Sequence, residues 1–222
     1  MSGPSIRKKH LEYEAFVYPS LEKIILPVVT FSKRRKDFLD VFRERRSEKQ
    51  LGTCTLEELS EILYHAVKPY IISRDDYDMT VYRSASPSAG GRHPIDILIG
   101  LPEKKGRRLY LYEPLSHSLC RLDIPVELQR EFFDDVNQTL LMGDSVLIWF
   151  SIQYMRTASK YTDYESLVWR DAGAQLCCLQ QAAKYVGLDS CPIGYLAEDA
   201  FSRMFHCDSL ISGGGMIIGL KK

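Results

Sequence analysis

The chain has 222 residues, and its 29 Lys+Arg balance 29 Asp+Glu. No global field therefore draws it to nucleic acid or to an anionic membrane, and the length suits one domain able to bury a single large core. Six cysteines (Cys54, Cys120, Cys177, Cys178, Cys191, Cys207) form no CxxC pair and no spacing with His that suits zinc, so reduced thiols and no metal are expected. The first residues, MSGPSIRKKH, lack an apolar signal segment, and the longest apolar run, near Val146 to Ile152, is too short to span a bilayer. A soluble cytoplasmic protein is expected.

Residues up to about Asp37 show no strong periodicity, so the division expected is an arm over 1–36 and a domain over 37–222. Within the arm, Lys23-Ile24-Ile25-Leu26-Pro27 suits a short edge strand, because Pro27 cannot donate to a ladder. The run Lys33-Arg34-Arg35-Lys36 reads as a solvated helix start or loop, with a grip on an acidic peptide as the minority reading. A helix through Phe38, Leu39, Val41 and Phe42 leads to Arg45-Arg46-Ser47-Glu48-Lys49. Two guanidinium groups, a hydroxyl and an ammonium so close together can bind a phosphate and the polar edge of an isoalloxazine; standing alone, they read rather as an exposed basic turn.

Thr55-Leu56-Glu57-Glu58 is a capping box opening a helix with Leu56, Leu59, Leu63 and Ala66 on one face, closed before Pro69. Tyr70 to Met79 reads as a loop. Ser86 to Pro94 is rich in small residues between two prolines, which lets the backbone approach a planar ligand, or makes an ordinary turn. Alternation at Ile95, Ile97, Ile99 and at Leu109, Leu111 predicts a hairpin across Lys104-Lys105-Gly106-Arg107-Arg108. Pro125 suits the first turn of a helix capped by Asp123, with Leu128, Phe132, Phe133 and Val136 buried. Val146 to Ile152 reads as a central strand covered on both faces.

The clearest stretch runs from Arg156 to Tyr195. Thr162 and Glu165 have capping-box spacing, Leu167, Ala172, Leu176, Leu179, Ala183 and Val186 line one helix face, and Gln175, Gln180, Gln181 and Lys184 fall between them. Gly187 with Leu188 forms a Schellman stop before Cys191-Pro192-Ile193-Gly194. Gly213, Gly214 and Gly215 precede a buried strand over Met216 to Gly219, and Lys221 and Lys222 close the sequence.

Arg45-Arg46-Ser47-Glu48-Lys49, Ser86 to Pro94, Lys160-Tyr161, Asp171-Ala172-Gly173-Ala174-Gln175, and Gly187-Leu188 leading to Pro192-Ile193-Gly194 occur in the order found in nitroreductase-like flavoproteins. Over about residues 25 to 219 the chain resembles that superfamily and, within it, the SagB-type azoline dehydrogenases of thiazole/oxazole-modified peptide pathways. Tyr110 to Pro114 is similar to a further family segment that carries no catalytic content.

The resemblance implies an α+β fold with a mostly antiparallel central sheet flanked by helices, and an intertwined homodimer with FMN at the interface. It implies that Arg45, Arg46, Ser47 and Lys49 hold FMN, and that Ser86, Pro87, Ser88, Ala89 and Gly90 reach it across the dimer. It implies too that the backbone around Ile193, Gly194 and Tyr195 faces the flavin N5, with Pro192 also in the cofactor site. Lys221 is a candidate for the phosphate, beside the plainer reading of a flexible charged terminus.

In the SagB-type enzymes a Lys-Tyr pair is tied to oxidation of thiazolines and oxazolines, in which a base removes the Cα proton while hydride passes to the flavin. Tyr161 as base with Lys160 as its activator, or the reverse, is what that implies here; an exposed dipeptide is the bland alternative.

The chain departs from the pattern at Tyr164, Glu165 and Ser166, where arginines are usual, and at Ala174, in the place of a His. It is also expected to lack the longer N-terminal peptide-binding extension of many relatives, which implies leader recognition by a partner. The expected activity is an FMN-dependent azoline dehydrogenase acting on a ribosomally made precursor peptide beside a cyclodehydratase. The alternatives are a general NAD(P)H-dependent nitro or quinone reductase and a non-catalytic flavin-binding scaffold subunit.

Overall fold

Side chains alternate across a strand, so a strand apolar at every position must be covered twice. Val146–Ile152, apolar except for Ser151, is such a strand, buried at each residue. In the computed structural model, which describes residues 3–29, 35–75, 79–104 and 106–222, it is β8 of a seven-stranded sheet ordered β10-β11-β8-β5-β6-β7-β2. The partners are β2 (Ser20–Ile25), β5 (Ile95–Glu103), β6 (Gly106–Glu113), β7 (Ser118–Leu122), β10 (Asp189–Ile193) and β11 (Ile211–Gly219). Every neighbouring pair is antiparallel.

One face of the sheet presents Ile97, Ile99, Ile148, Phe150, Met216 and Ile218 to two helices, α2 (Leu56–Ala66) and α5 (Glu165–Tyr185). The other face presents Leu98, Leu109, Leu147, Trp149 and Ile217 to α3 (Val126–Thr139) and α6 (Glu198–Phe205). The fold is thus α+β, a large antiparallel sheet with helices on both faces.

The predicted hairpin is β5 and β6, and Lys105 of its turn lies outside the described residues, as do Lys33 and Arg34 of the basic run. The predicted edge strand is β2, on the outer edge of the sheet. The glycines Gly213 to Gly215 lie inside β11, where the register shifts between Ser212 and Gly215.

The two capping boxes of the sequence part company. At Thr55 both halves form: the Glu58 amide donates to Thr55 Oγ1 at 3.2 Å and the Thr55 amide donates to Glu58 Oε2 at 3.0 Å. At Thr162 neither does. There α1 (Phe38–Glu44) is far behind in sequence, α4 (Met155–Ala158) has just ended, and Thr162 sits in a short strand, β9 (Tyr161–Thr162), paired with β1 (Ser5–Ile6). The arm has claimed it: Thr162 Oγ1 lies 2.8 Å from Ser5 Oγ, and Tyr164 occupies the N-cap position of α5 without a side-chain cap.

At the other end of α5 the Schellman stop is complete. Gly187 adopts φ +86°, its amide donates to Lys184 O at 3.1 Å, and the Leu188 amide donates to Ala183 O at 2.9 Å. Gln175, expected among the polar spacers, is buried instead.

Two other expectations are corrected. Asp123 does not cap α3: Pro125 occupies the N-cap position, and no side chain caps the helix there. The stretch read as a loop from Tyr70 holds β3 (Ile71–Arg74), paired antiparallel with β4 (Thr80–Arg83).

Beside α2, the Tyr112 hydroxyl lies 2.8 Å from His117 Nδ1, and His117 Nε2 lies 2.8 Å from Ser60 Oγ, which donates to Pro27 O at 2.6 Å. With Ser60 donating onward, Nε2 carries the imidazole proton and Nδ1 accepts from Tyr112, an arrangement that needs a neutral ring. Burial, helped by the charge on Lys68, lowers the His117 pKa to about 4.

Two measurements check these interactions. Thr55→Ala is expected to cost about 1 kcal/mol in denaturant unfolding, whereas Thr162→Ala leaves α5 without any cap loss. The unfolded His117 takes up a proton below its ordinary value of 6.5 and the folded one only near 4, so stability falls as pH drops through that window. The melting temperature of His117→Gln is expected to fall less steeply over the same range.

Candidate functional site

A buried carboxylate requires donors, and this one finds them in a loop of small residues. Asp171, on the second turn of α5, accepts from the Ser88 hydroxyl at 2.5 Å and from the Ala89 amide at 3.1 Å, while the His93 amide donates to Ser88 Oγ at 2.8 Å. Burial pushes the Asp171 carboxyl above its usual range, and the Ser88 and Ala89 bonds partly pull it back. Ser86 Oγ ties the start of the loop to Ala66 O at the end of α2, at 2.8 Å. Between these anchors the chain makes one 3₁₀ turn, Ala89–Gly91.

Gly90 takes φ +60°, and a Cβ placed there would lie 2.6 Å from the Tyr161 hydroxyl and 3.3 Å from Lys160 Nζ. The heads of Lys160 and Tyr161 therefore converge on the backbone of this loop, which only a glycine permits. The backbone of the pair is held from outside by the arm: the Arg7 amide donates to Lys160 O at 2.8 Å, the Leu11 amide to Ser159 O at 3.0 Å, and Arg7 Nε to Ala158 O at 2.7 Å. Lys160 Nζ faces Asp75 Oδ2 at 3.5 Å, and Arg92 Nη2 donates to the same oxygen at 2.8 Å. Pro87, Ser88, Ala89, Gly90, Lys160 and Tyr161 thus form one group.

A second group gathers at the far end of α5. Ser47 bridges Ser190 in parallel and the Glu48 amide donates to Ser190 O at 3.0 Å, which lays Arg45 to Lys49 beside β10 and the Pro192, Ile193, Gly194 segment that ends it. Leu51 bridges Lys221, the Lys222 amide donates to Gln50 O at 3.1 Å, and Lys221 Nζ pairs with Glu48 Oε1 at 3.1 Å. These bonds tie down a terminus for which free flexibility was the plainer expectation. The Lys221 head remains well exposed.

Among the described residues no carboxylate pairs with Arg45, Arg46 or Lys49, and the side chain of Arg46 reaches only its neighbour's carbonyl, Arg45 O, at 2.8 Å. Cations without counter-ions suit an anionic ligand such as a phosphate. A Cβ at Gly194 would meet nothing within 4 Å, so that segment borders open space. The residues present fit a phosphate-bearing planar group.

The two groups do not meet in one chain. The first is bonded to α5 at Asp171, and the second follows the end of that 21-residue helix. Among the described residues no hydrogen bond or ion pair joins Arg45, Arg46, Ser47 or Lys49 to Pro87, Ser88, Ala89, Gly90, Lys160 or Tyr161. Asp75 and Arg92 were not singled out as site residues: Asp75 lies in a stretch without periodicity, and only the β3–β4 hairpin carries it to Lys160. Asp171 was visible as part of a motif, but its bonds to Ser88 and Ala89 depend on packing.

The sequence pattern of the Nitroreductase family matches residues 42–220, and the chain belongs to that family. Among solved structures it is similar to a Ralstonia eutropha JMP134 protein assigned as a nitroreductase, at 18% identity and TM-score 0.69, over 96% of this chain and 98% of that one. It is also similar to a chain of the Escherichia coli microcin synthetase McbBCD complex with truncated pro-MccB17 bound, at 14% identity and TM-score 0.58, over 93% of this chain and 77% of that one. A Staphylococcus epidermidis ATCC 12228 protein assigned as an NAD(P)H:FMN oxidoreductase is similar at 15% identity and TM-score 0.57, over 87% and 91%. At these identities the likeness is one of fold. No curated protein sequence matches significantly. Among the described residues no group of His, Cys, Asp and Glu could hold a metal ion, and no helix is long and apolar enough to cross a membrane.

Gly90→Ala is expected to cost about 1 to 2 kcal/mol in unfolding free energy, from left-handed strain and from the clash with the Tyr161 hydroxyl. Gly90→Ala combined with Tyr161→Phe should recover part of that loss, since the nearest clashing atom is gone; equal losses in both would disprove the contact.

Proposed function

We propose that the protein is an FMN-dependent dehydrogenase that oxidises thiazoline or oxazoline rings to thiazoles or oxazoles in a ribosomally made precursor peptide. The observation that carries this reading is the convergence of Lys160 and Tyr161 on Gly90, which makes the dipeptide part of a built site rather than a surface accident. Its likeness in fold to a chain of a peptide-modifying synthetase complex supports the same reading, as does similarity to proteins described as FMN oxidoreductases.

Arg45, Arg46, Lys49 and Lys221 would bind the phosphate of FMN, with Ser47 and the backbone of Pro192, Ile193 and Gly194 along the ring. The separation of this group from Pro87, Ser88, Ala89 and Gly90 along α5 supports an intertwined homodimer, in which each flavin is held by the cationic group of one protomer and the loop of its partner. Bound FMN supplies the two-electron acceptor for the hydride that leaves the azoline. The chain's own task is to remove the Cα proton: Tyr161 accepts it, and the Lys160 cation beside it stabilises the phenolate. The peptide would arrive from a cyclodehydratase partner in the cytoplasm.

A general NAD(P)H-dependent reductase is favoured by one observation, the absence of the usual arginines and His at Tyr164 to Ser166 and Ala174. Purified protein should show the visible spectrum of bound FMN, and Arg45→Ala with Arg46→Ala should release it. Lys160→Ala and Tyr161→Phe should each lower oxidation of an azoline peptide by about 100-fold or more while retaining flavin. Undiminished turnover in both variants, together with reduction of quinones by NAD(P)H, would transfer the assignment to the general reductase.

A further inference from the structure

Lysine is a poor candidate for a fixed catalytic cation unless something holds its head, because its four-carbon stem carries about 2 kcal/mol of rotamer entropy. In this fold both ends of Lys160 are held. Its amide donates to Thr157 O at 3.1 Å and its carbonyl accepts from Arg7. Its ammonium faces Asp75 Oδ2 at 3.5 Å, with the Lys160 side chain 15% exposed and that of Asp75 12%. The same oxygen accepts from Arg92, whose side chain is only 2% exposed and whose Nη2 also lies 3.3 Å from His10 Nδ1. Asp75 reaches this place from the end of β3, and the hairpin is braced against the loop: His93 Nε2 lies 3.0 Å from Tyr82 O.

We propose that Asp75 is a positioning residue which, buttressed by Arg92, holds the Lys160 ammonium beside the Tyr161 hydroxyl. The proposal rests on the azoline-dehydrogenase reading given above and decides between its two role assignments. The ion pair with Asp75 engages the Lys160 head as a fixed cation, so the substrate proton passes to the Tyr161 oxygen. The heads of Lys160 and Tyr161 approach the same point at Gly90, so a fixed Lys160 sets the charge nearest that oxygen. Placement matters at this scale, since a shift of about 1 Å in a catalytic group can cost about 100-fold in rate.

The test compares Asp75→Asn, Asp75→Glu and the wild type in two ways. The first needs no substrate: acetylation of Lys160 by an N-hydroxysuccinimide ester is followed by peptide mass spectrometry, with Lys184, paired to Asp189 at 2.7 Å, as an internal control. Lys160 should be labelled several-fold faster in Asp75→Asn, near the wild-type rate in Asp75→Glu, and Lys184 should not change.

The second reading is turnover of an azoline peptide. Asp75→Asn should lower kcat by about 10- to 100-fold with little change in KM, Asp75→Glu should restore part of it, and Asp75→Asn should add nothing in a Lys160→Ala background. Because Asp75→Asn leaves the buried Arg92 short of a partner, Asp75→Asn with Arg92→Leu is carried alongside and should give the same labelling result. Unchanged labelling of Lys160, or labelling that rises equally at Lys184, overturns the proposal whatever the turnover. Faster labelling with unchanged kcat overturns the catalytic consequence. Turnover that is insensitive to Lys160→Ala overturns the function proposed above, and the labelling rates then still decide whether Asp75 holds Lys160.

Discussion

A charge taken out of water must be met by donors, and the carboxylate of Asp171 meets this demand by capturing a loop. Ser88 and Ala89 donate to it, Ser88 in turn receives the His93 amide, and the turn so formed brings Gly90 against Tyr161. Asp171 can serve because α5 is pressed onto the sheet through Val168, Ala172, Leu179 and Ala183, which fixes its rotation. Burial of the helix stripe, burial of the carboxylate and the shape of the loop are therefore one constraint.

The same helix sets the scale of the site. Its Schellman stop at Gly187 turns the chain into β10, and Ser190 there receives the Ser47 to Glu48 segment. The cationic group is thereby placed after the end of the helix, whereas the small-residue loop is bonded to its second turn through Asp171.

The N-terminal arm has more consequence than its lack of periodicity suggests. Its first strand takes Thr162 out of a capping role, and Arg7 and Leu11 bind the backbone around Lys160. Further along, the Tyr18 hydroxyl lies 3.0 Å from Asp96 Oδ2, an oxygen that also receives Gln153 Nε2 at 2.6 Å, while Arg156 pairs with Asp96 at 2.7 Å. The arm is thus bonded to the segment that carries the Lys-Tyr pair and to the central strands behind it.

Local rules were legible wherever a residue's partner lies within a few positions. The Thr55 box, the Gly187 stop, the β5–β6 hairpin and the doubly covered β8 all follow from spacing, because helix caps and strand alternation are settled by neighbours in sequence. The motifs around Arg45, Ser88, Lys160 and Pro192 were visible for the same reason, as short runs of suitable chemistry. What spacing could not decide was competition between distant partners. Thr162 has the spacing of a cap, yet Ser5 takes it from 157 positions away. Asp75 gains meaning only when a hairpin brings it within 3.5 Å of Lys160, 85 positions away in sequence. The sequence by itself determined which elements form and which chemistries are present, whereas only the tertiary structure decided which carboxylate meets which cation, because that choice depends on burial and long-range contact.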